Sequence, residues 1–90
     1  KNCKLVLITP YFFFFFKNDH IRKMCDEYSA AVKALADEYG TYFCDVQSAF
    51  DKFMEKESAY LLSNDRVHPN QIGHYFIANE LLKILETVEL

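Results

Sequence analysis

The feature that most restricts the fold of this chain is a short, unbroken apolar run near its start, Leu5-Val6-Leu7-Ile8, preceded by Lys4 and followed by Thr9 and Pro10. The run is β-rich and short, and Pro10 stops it, which is the pattern of a strand covered on both faces. Such strands belong to parallel sheets, and a parallel strand reaches its neighbour through a crossover, usually a helix.

The residues that follow predict that crossover. After a polar stretch at Lys17-Asn18-Asp19, apolar side chains recur at Ile21, Met24, Cys25, Tyr28, Val32, Leu35, Ala36 and Tyr39, the 3/4 spacing of an amphipathic helix. Asn18 or Asp19 can cap its start, and Gly40 can close its end. Thr41-Tyr42-Phe43-Cys44 predicts a second strand. Asp45 then opens a second helix with Val46, Ala49, Phe50, Phe53 and Met54 on one side. Residues 58–69 read as an irregular loop, and Asn70 can cap a last helix whose expected buried face is Ile72, Phe76, Ile77, Leu81, Ile84 and Leu85.

Alternating strands and helices at this spacing imply an α/β fold with right-handed crossovers and helices on the faces of a parallel sheet. Two strands cannot make a covered parallel sheet, so the pattern expects neighbouring strands from outside these 90 residues. No repeat or flexible linker divides the chain. At this length only one small core can form, so residues 1–90 are read as part of a single domain.

Composition narrows the class further. Hydrophobic residues make up 51% and charged residues 26%, a globular balance. The formal net charge is -3 and the ten Lys and Arg are scattered among acids, which argues against nucleic acid as a partner. The three cysteines Cys3, Cys25 and Cys44 form no CxxC pair, so they read as small hydrophobes in a reduced compartment. The longest apolar run, residues 11–16, falls far short of the ~20 residues of a membrane span. A soluble, cytoplasmic protein is expected. Secretion stays open because the first residue is Lys1, with no initiator methionine.

The segment with chemical content is Asn64-Asp65-Arg66-Val67-His68-Pro69-Asn70-Gln71-Ile72-Gly73-His74. It sets a carboxylate and an imidazole three residues apart, in a loop, just before a helix. In a turn, residues i and i+3 have Cα atoms within about 7 Å, so Asp65 can accept a hydrogen bond from Nδ1 of His68. Nε2 is then left outward as a base. Pro69 restricts His68 to extended backbone, which favours one loop shape.

Blander readings compete. An Asp and His at this spacing commonly form a salt bridge that only staples a turn; the flanking Pro69, Asn70, Gly73 and His74 tip the reading towards catalysis. Asp65, His68 and His74 could ligate a metal, but the spacing matches no HExxH or CxxC pattern, and a structural hydrogen bond suits His74 better. The aromatic residues 12–16 are expected to be buried, because five adjacent exposed phenylalanines would aggregate. Tyr11 could line a cleft, and His20 is expected to face solvent.

Asp-x-x-His-Pro followed by Asn-x-x-Gly-His and an apolar helix resembles the final block of the SGNH (GDSL-type) hydrolases, in which the Asp and His belong to a Ser-His-Asp triad. The resemblance continues upstream in pattern, from Leu5-Val6-Leu7-Ile8-Thr9-Pro10 as a late strand through Met24-Cys25-Asp26-Glu27-Tyr28 to Phe50. It implies a three-layer α/β/α, flavodoxin-like fold, present here as its C-terminal portion of two strands and three helices. It also implies an esterase in which Asp65 and His68 are catalytic, needing no metal or organic cofactor. Small-molecule or carbohydrate esters would be its substrates.

The chain departs from the family in having no Gly-Asp-Ser block. Its serines, Ser29, Ser48, Ser58 and Ser63, stand in unrelated contexts, and the oxyanion glycine and asparagine blocks are missing. The nucleophile is therefore expected from the missing N-terminal part of the same domain. The alternative is a non-catalytic flavodoxin-like interaction module. Oligomeric state is not readable from the sequence.

Overall fold

The structure is a computed structural model and describes residues 3–14 and 18–88. Strand β1 (Val6–Ile8) leads through helix α1 (His20–Tyr39) to strand β2 (Tyr42–Cys44), then to helix α2 (Val46–Met54). A single 3-10 turn (Ala59–Leu61) precedes helix α3 (Gln71–Leu85). β1 and β2 pair in parallel, with Val6, Leu7 and Ile8 opposite Tyr42, Phe43 and Cys44. No helix among the described residues is long and apolar enough to cross a membrane.

The helix ends form where the sequence supplies caps. Asp19 accepts from the N–H groups of Ile21 and Arg22 at 2.9 and 3.1 Å, and Asp45 accepts from Ser48. Gly40 ends α1 in the left-handed region (φ 65°), its N–H bonded to the Ala36 carbonyl.

Side chains alternate across the strands, and the two faces have different neighbours. Phe43 looks towards α1, whose Lys33 ammonium sits 5.1 Å from its ring centre. Val6 and Cys44 look the other way, into a cluster of Phe13, Val46, Phe50, Met54 and Leu62 that Phe76, Ile77, Leu81 and Ile84 of α3 pack against. α1 therefore covers one face, and α2 with α3 the other, in three layers.

Three sequence expectations change. The first strand is not covered on both faces: Leu5 is 58% and Ile8 40% exposed. Strands lie about 4.8 Å apart, so a two-stranded ribbon leaves both edges open, and side chains beside an edge stay wet. On α1 the packed stripe is Arg22, Cys25, Ser29, Val32 and Ala36, which keeps Cys25, Val32 and Ala36 of the expected face and adds Arg22 and Ser29. Ile21, Met24, Tyr28, Leu35 and Tyr39 are exposed. Arg22 lies on the packed side, its guanidinium held inward by a bidentate pair with Asp51 at 2.8 and 2.7 Å. On α3, Ile72 and Leu85 are exposed and Gly73 is buried in their place.

Tyr11, a candidate cleft residue, is half-buried and packs against the core, its ring 5.3 Å from Phe13 and 5.7 Å from Phe50. Phe12 and Phe13 are buried, as expected of the aromatic run, and His20 faces solvent. Phe15 and Phe16 lie outside the described residues.

Candidate active site

The loop between the 3-10 turn and α3 is closed like a noose. Leu62 is fully buried and anchors one side, and a β-bridge joins Ser63 to Pro69 across the neck. Asn70 locks it with three bonds. Its N–H donates to the Leu62 carbonyl (2.7 Å), its Nδ2 donates to the Leu61 carbonyl (2.9 Å), and its Oδ1 accepts from the Gly73 N–H (2.9 Å). One side chain thus caps α3 and ties down the segment before the loop.

Inside the noose, Asp65 gathers donors. Oδ1 accepts from the N–H groups of His68 (2.8 Å) and Val67 (3.0 Å) and from the Ser63 hydroxyl (3.2 Å). Oδ2 lies 2.6 Å from Nδ1 of His68. The His68 backbone bond, then its ring, then the Val67 N–H hold the Asp65 carboxyl well below the usual carboxylate range. Ionised Asp65 can only accept, so Nδ1 of His68 carries the proton of this contact. The Nε2 lone pair is then directed away from Asp65, on a side chain 83% exposed. A fixed tautomer beside a permanent anion is what a general base needs.

Arg66, between the two, has φ 70°, the left-handed region that disfavours a side chain. Two contacts hold it there. Its carbonyl accepts from the Phe13 N–H (2.9 Å), and its guanidinium stacks 4.4 Å from the Phe14 ring centre. Phe13 follows β1 at its carboxyl end, so the loop is tied to the side of the sheet where α/β proteins bind ligands. Phe13, Phe14, Tyr60, Ser63 and Arg66 also line a cleft of about 240 Å³. A larger groove of about 480 Å³ between α2 and α3 includes neither Asp65 nor His68. Donor geometry, not cavity size, singles out the loop.

Asp65 and His68 are therefore brought together as the spacing implied. The other sequence candidates are not joined to them. His74 is exposed on α3, and among the described residues no three His, Cys, Asp or Glu side chains group as a metal site. The Ser48 hydroxyl donates to Asp45, the cap of α2 (2.7 Å), Ser58 caps the 3-10 turn, and Ser29 is enclosed on α1. Ser63, placed by the sequence in an unrelated context, bonds Asp65 through its hydroxyl. The legible signal was the polar Ser63-Asn64-Asp65 run, where Asp side chains bond the backbone two residues on.

No family model matches the chain. It is 33% identical over 79 residues to an acetylxylan esterase of Geobacillus stearothermophilus, an alignment covering 88% of this chain and 36% of that enzyme. A solved structure of an acetyl-xylooligosaccharide esterase from the same organism superposes with a TM-score of 0.89 at 31% identity, over 96% of this chain and 39% of that one. An α/β hydrolase from the Lake Arreo metagenome superposes at 0.88 with 33% identity, over 97% and 40%. The chain thus spans little more than a third of these relatives' length. Solved forms of the Geobacillus enzyme include catalytic mutants at a serine, at an aspartate, and at a histidine three positions after that aspartate.

Proposed function

Because this chain belongs to the SGNH hydrolases and spans a C-terminal portion of such a domain, we propose that it carries the acid and base of a Ser-His-Asp triad that hydrolyses carbohydrate acyl esters. The observation that supports this most directly is the 2.6 Å contact of His68 Nδ1 with an Asp65 held ionised by three further donors. The catalytic mutants of the Geobacillus enzyme carry the same Asp and His spacing. Its name points to acetyl groups on xylan or xylo-oligosaccharides as the substrate class.

In this reading a serine outside these 90 residues attacks the ester carbonyl while His68 Nε2 takes its proton. His68 then returns that proton to the leaving sugar hydroxyl, and Asp65 stabilises the imidazolium between the two steps. Water attacks the acyl-enzyme by the same proton route, releasing acetate. The chemistry needs no metal or organic cofactor. None of the four serines described above is bonded to the His68 ring, so residues 1–90 alone have nothing for the base to activate.

The test is made in the full-length protein, with an aryl acetate and an acetylated xylo-oligosaccharide as substrates. His68→Ala lowers kcat about 10³-fold or more, and Asp65→Asn is also severe because it removes tautomer control. A chelator leaves turnover unchanged and a serine-directed phosphonate abolishes it. Turnover within a few-fold of wild type for His68→Ala refutes the assignment. An acyl-enzyme burst from the 90-residue chain alone refutes the external serine. Absence of a Gly-Asp-Ser block upstream would favour the interaction module.

A further inference from the structure

Gln47 is the second residue of α2 and is almost fully buried, although the apolar pattern of that helix calls for no amide there. Its side chain treats Phe12 as a strand partner would. Oε1 accepts from the Phe12 N–H at 2.6 Å, and Nε2 donates to the Phe12 carbonyl at 3.2 Å. The second Nε2 proton goes to Asp51 Oδ1 at 3.0 Å. Asp51 is itself fixed by the two-pronged contact with buried Arg22, which also binds Asp26 at 2.8 Å. The Gln47 N–H reaches the Thr9 hydroxyl at 3.4 Å, and the Thr9 backbone N–H donates to the Cys44 carbonyl at 3.1 Å. The amide is therefore held on α2 and grips the chain leaving β1.

The gripped residue is next to the one that holds the candidate catalytic loop. Phe13 is enclosed against Phe50, their ring centres 4.6 Å apart, and its N–H is the donor to Arg66 between Asp65 and His68. A shift of the residue 12–13 backbone passes directly to the Arg66 carbonyl, in the one non-glycine residue described with positive φ. We propose that Gln47 is a positioning residue for the Asp65–His68 pair, acting through the Phe12–Phe13 backbone and the Arg66 carbonyl. This rests on the reading of that pair as acid and base. It adds that their register against the sheet is set from α2, and not by the noose alone.

The test compares Gln47→Met with Phe53→Leu in the full-length protein. Methionine keeps the volume of glutamine and removes all three amide bonds, while Phe53→Leu loosens the α2–α3 packing, where Phe53 and Phe76 rings are 5.1 Å apart, without touching the relay. Gln47→Met lowers kcat for an aryl acetate by about 10- to 100-fold with KM within about threefold, the size expected for a base displaced by an ångström or less. The ¹⁵N shifts of the His68 ring move in parallel from the Nδ1-protonated form towards the mixed tautomers of free imidazole. Phe53→Leu lowers Tm but leaves both readouts at wild-type values.

Wild-type kcat and tautomer in Gln47→Met overturns the proposal, and so does equal damage in Phe53→Leu at matched loss of Tm. If Gln47→Met does not fold, Gln47→Glu carries the test. It keeps the acceptor for Phe12 N–H, loses the donors to the Phe12 carbonyl and to Asp51, and is read by the same two measurements. Absence of serine-dependent turnover in the wild type would defeat the functional reading, while the His68 tautomer comparison still decides the positioning role.

Discussion

Gly73→Ala sets helix propensity against packing at the point where the candidate loop meets α3. A Cβ built on Gly73 falls 2.7 Å from the Leu62 carbonyl oxygen and 2.8 Å from Pro69 Cβ. Comfortable contacts lie near 3.5 Å, so both neighbours must retreat by about half an ångström or more. Neither is the tip of a flexible side chain. The Leu62 carbonyl also accepts from Asn70 at 2.7 Å, so moving it lengthens the bond that closes the noose. In an open helix, alanine would gain about 0.8–1.0 kcal/mol over glycine. Forcing a methyl into a filled site costs about 1–3 kcal/mol, and weakening the Asn70 bond costs up to about 1 kcal/mol more. The net expectation is a loss between zero and about 3 kcal/mol, centred on about 1.5 kcal/mol. At about 2–4 °C per kcal/mol for a domain of 150–250 residues, Tm falls by several degrees. Thermal and urea denaturation of the full-length protein would measure it. A raised Tm would mean that propensity outweighs the contact and that the loop is not clamped against α3.

Two further perturbations probe the loop. The depressed pKa of Asp65 gives a signed acid limb, since a carboxyl lowered on folding stabilises fully above its unfolded pKa of about 3.9 and loses that effect as pH falls towards the folded value. Wild type is thus more stable than Asp65→Asn at pH 5, and the gap narrows steadily between pH 4 and pH 2 in denaturant titrations; a gap that stays constant or widens over that range refutes the assigned donors. Arg66 at φ 70° carries a left-handed penalty of about 1 kcal/mol, so Arg66→Gly is the more stable of the pair Arg66→Gly and Arg66→Ala by about that amount. Alanine equal to or above glycine in Tm, the usual loop order, argues against the strained turn.

Much of this was legible because it is local. The Asp19 and Asn70 caps, the Gly40 stop and the Asp65–His68 contact each join residues two to four apart, where backbone geometry leaves few alternatives. The order of strands and helices was legible for the same reason, through periodicity within each segment. The rest depends on partners 29 and 35 residues away. Arg22 reads as a solvent residue until Asp51 stands opposite it, and Gln47 reads as a helix surface residue until the Phe12 backbone arrives.

The apolar residues left exposed support the same reading of the sheet. Leu5 and Ile8 at β1, and Ile21, Met24, Tyr28 and Leu35 along α1, are what the periodicity assigned to the interior. They do not make the pattern wrong. A strand apolar on both faces and a helix with a broad apolar face are written for a wider sheet, and two strands of three residues each are too narrow to cover them. The relatives, more than twice as long, support the proposal that further strands of the same domain supply that width together with the serine. The Asp65–His68 loop escapes this dependence. Its noose, its carboxylate donors and its tie to Phe13 are closed within the described residues, which is why the Asp65–His68 contact forms without the further strands.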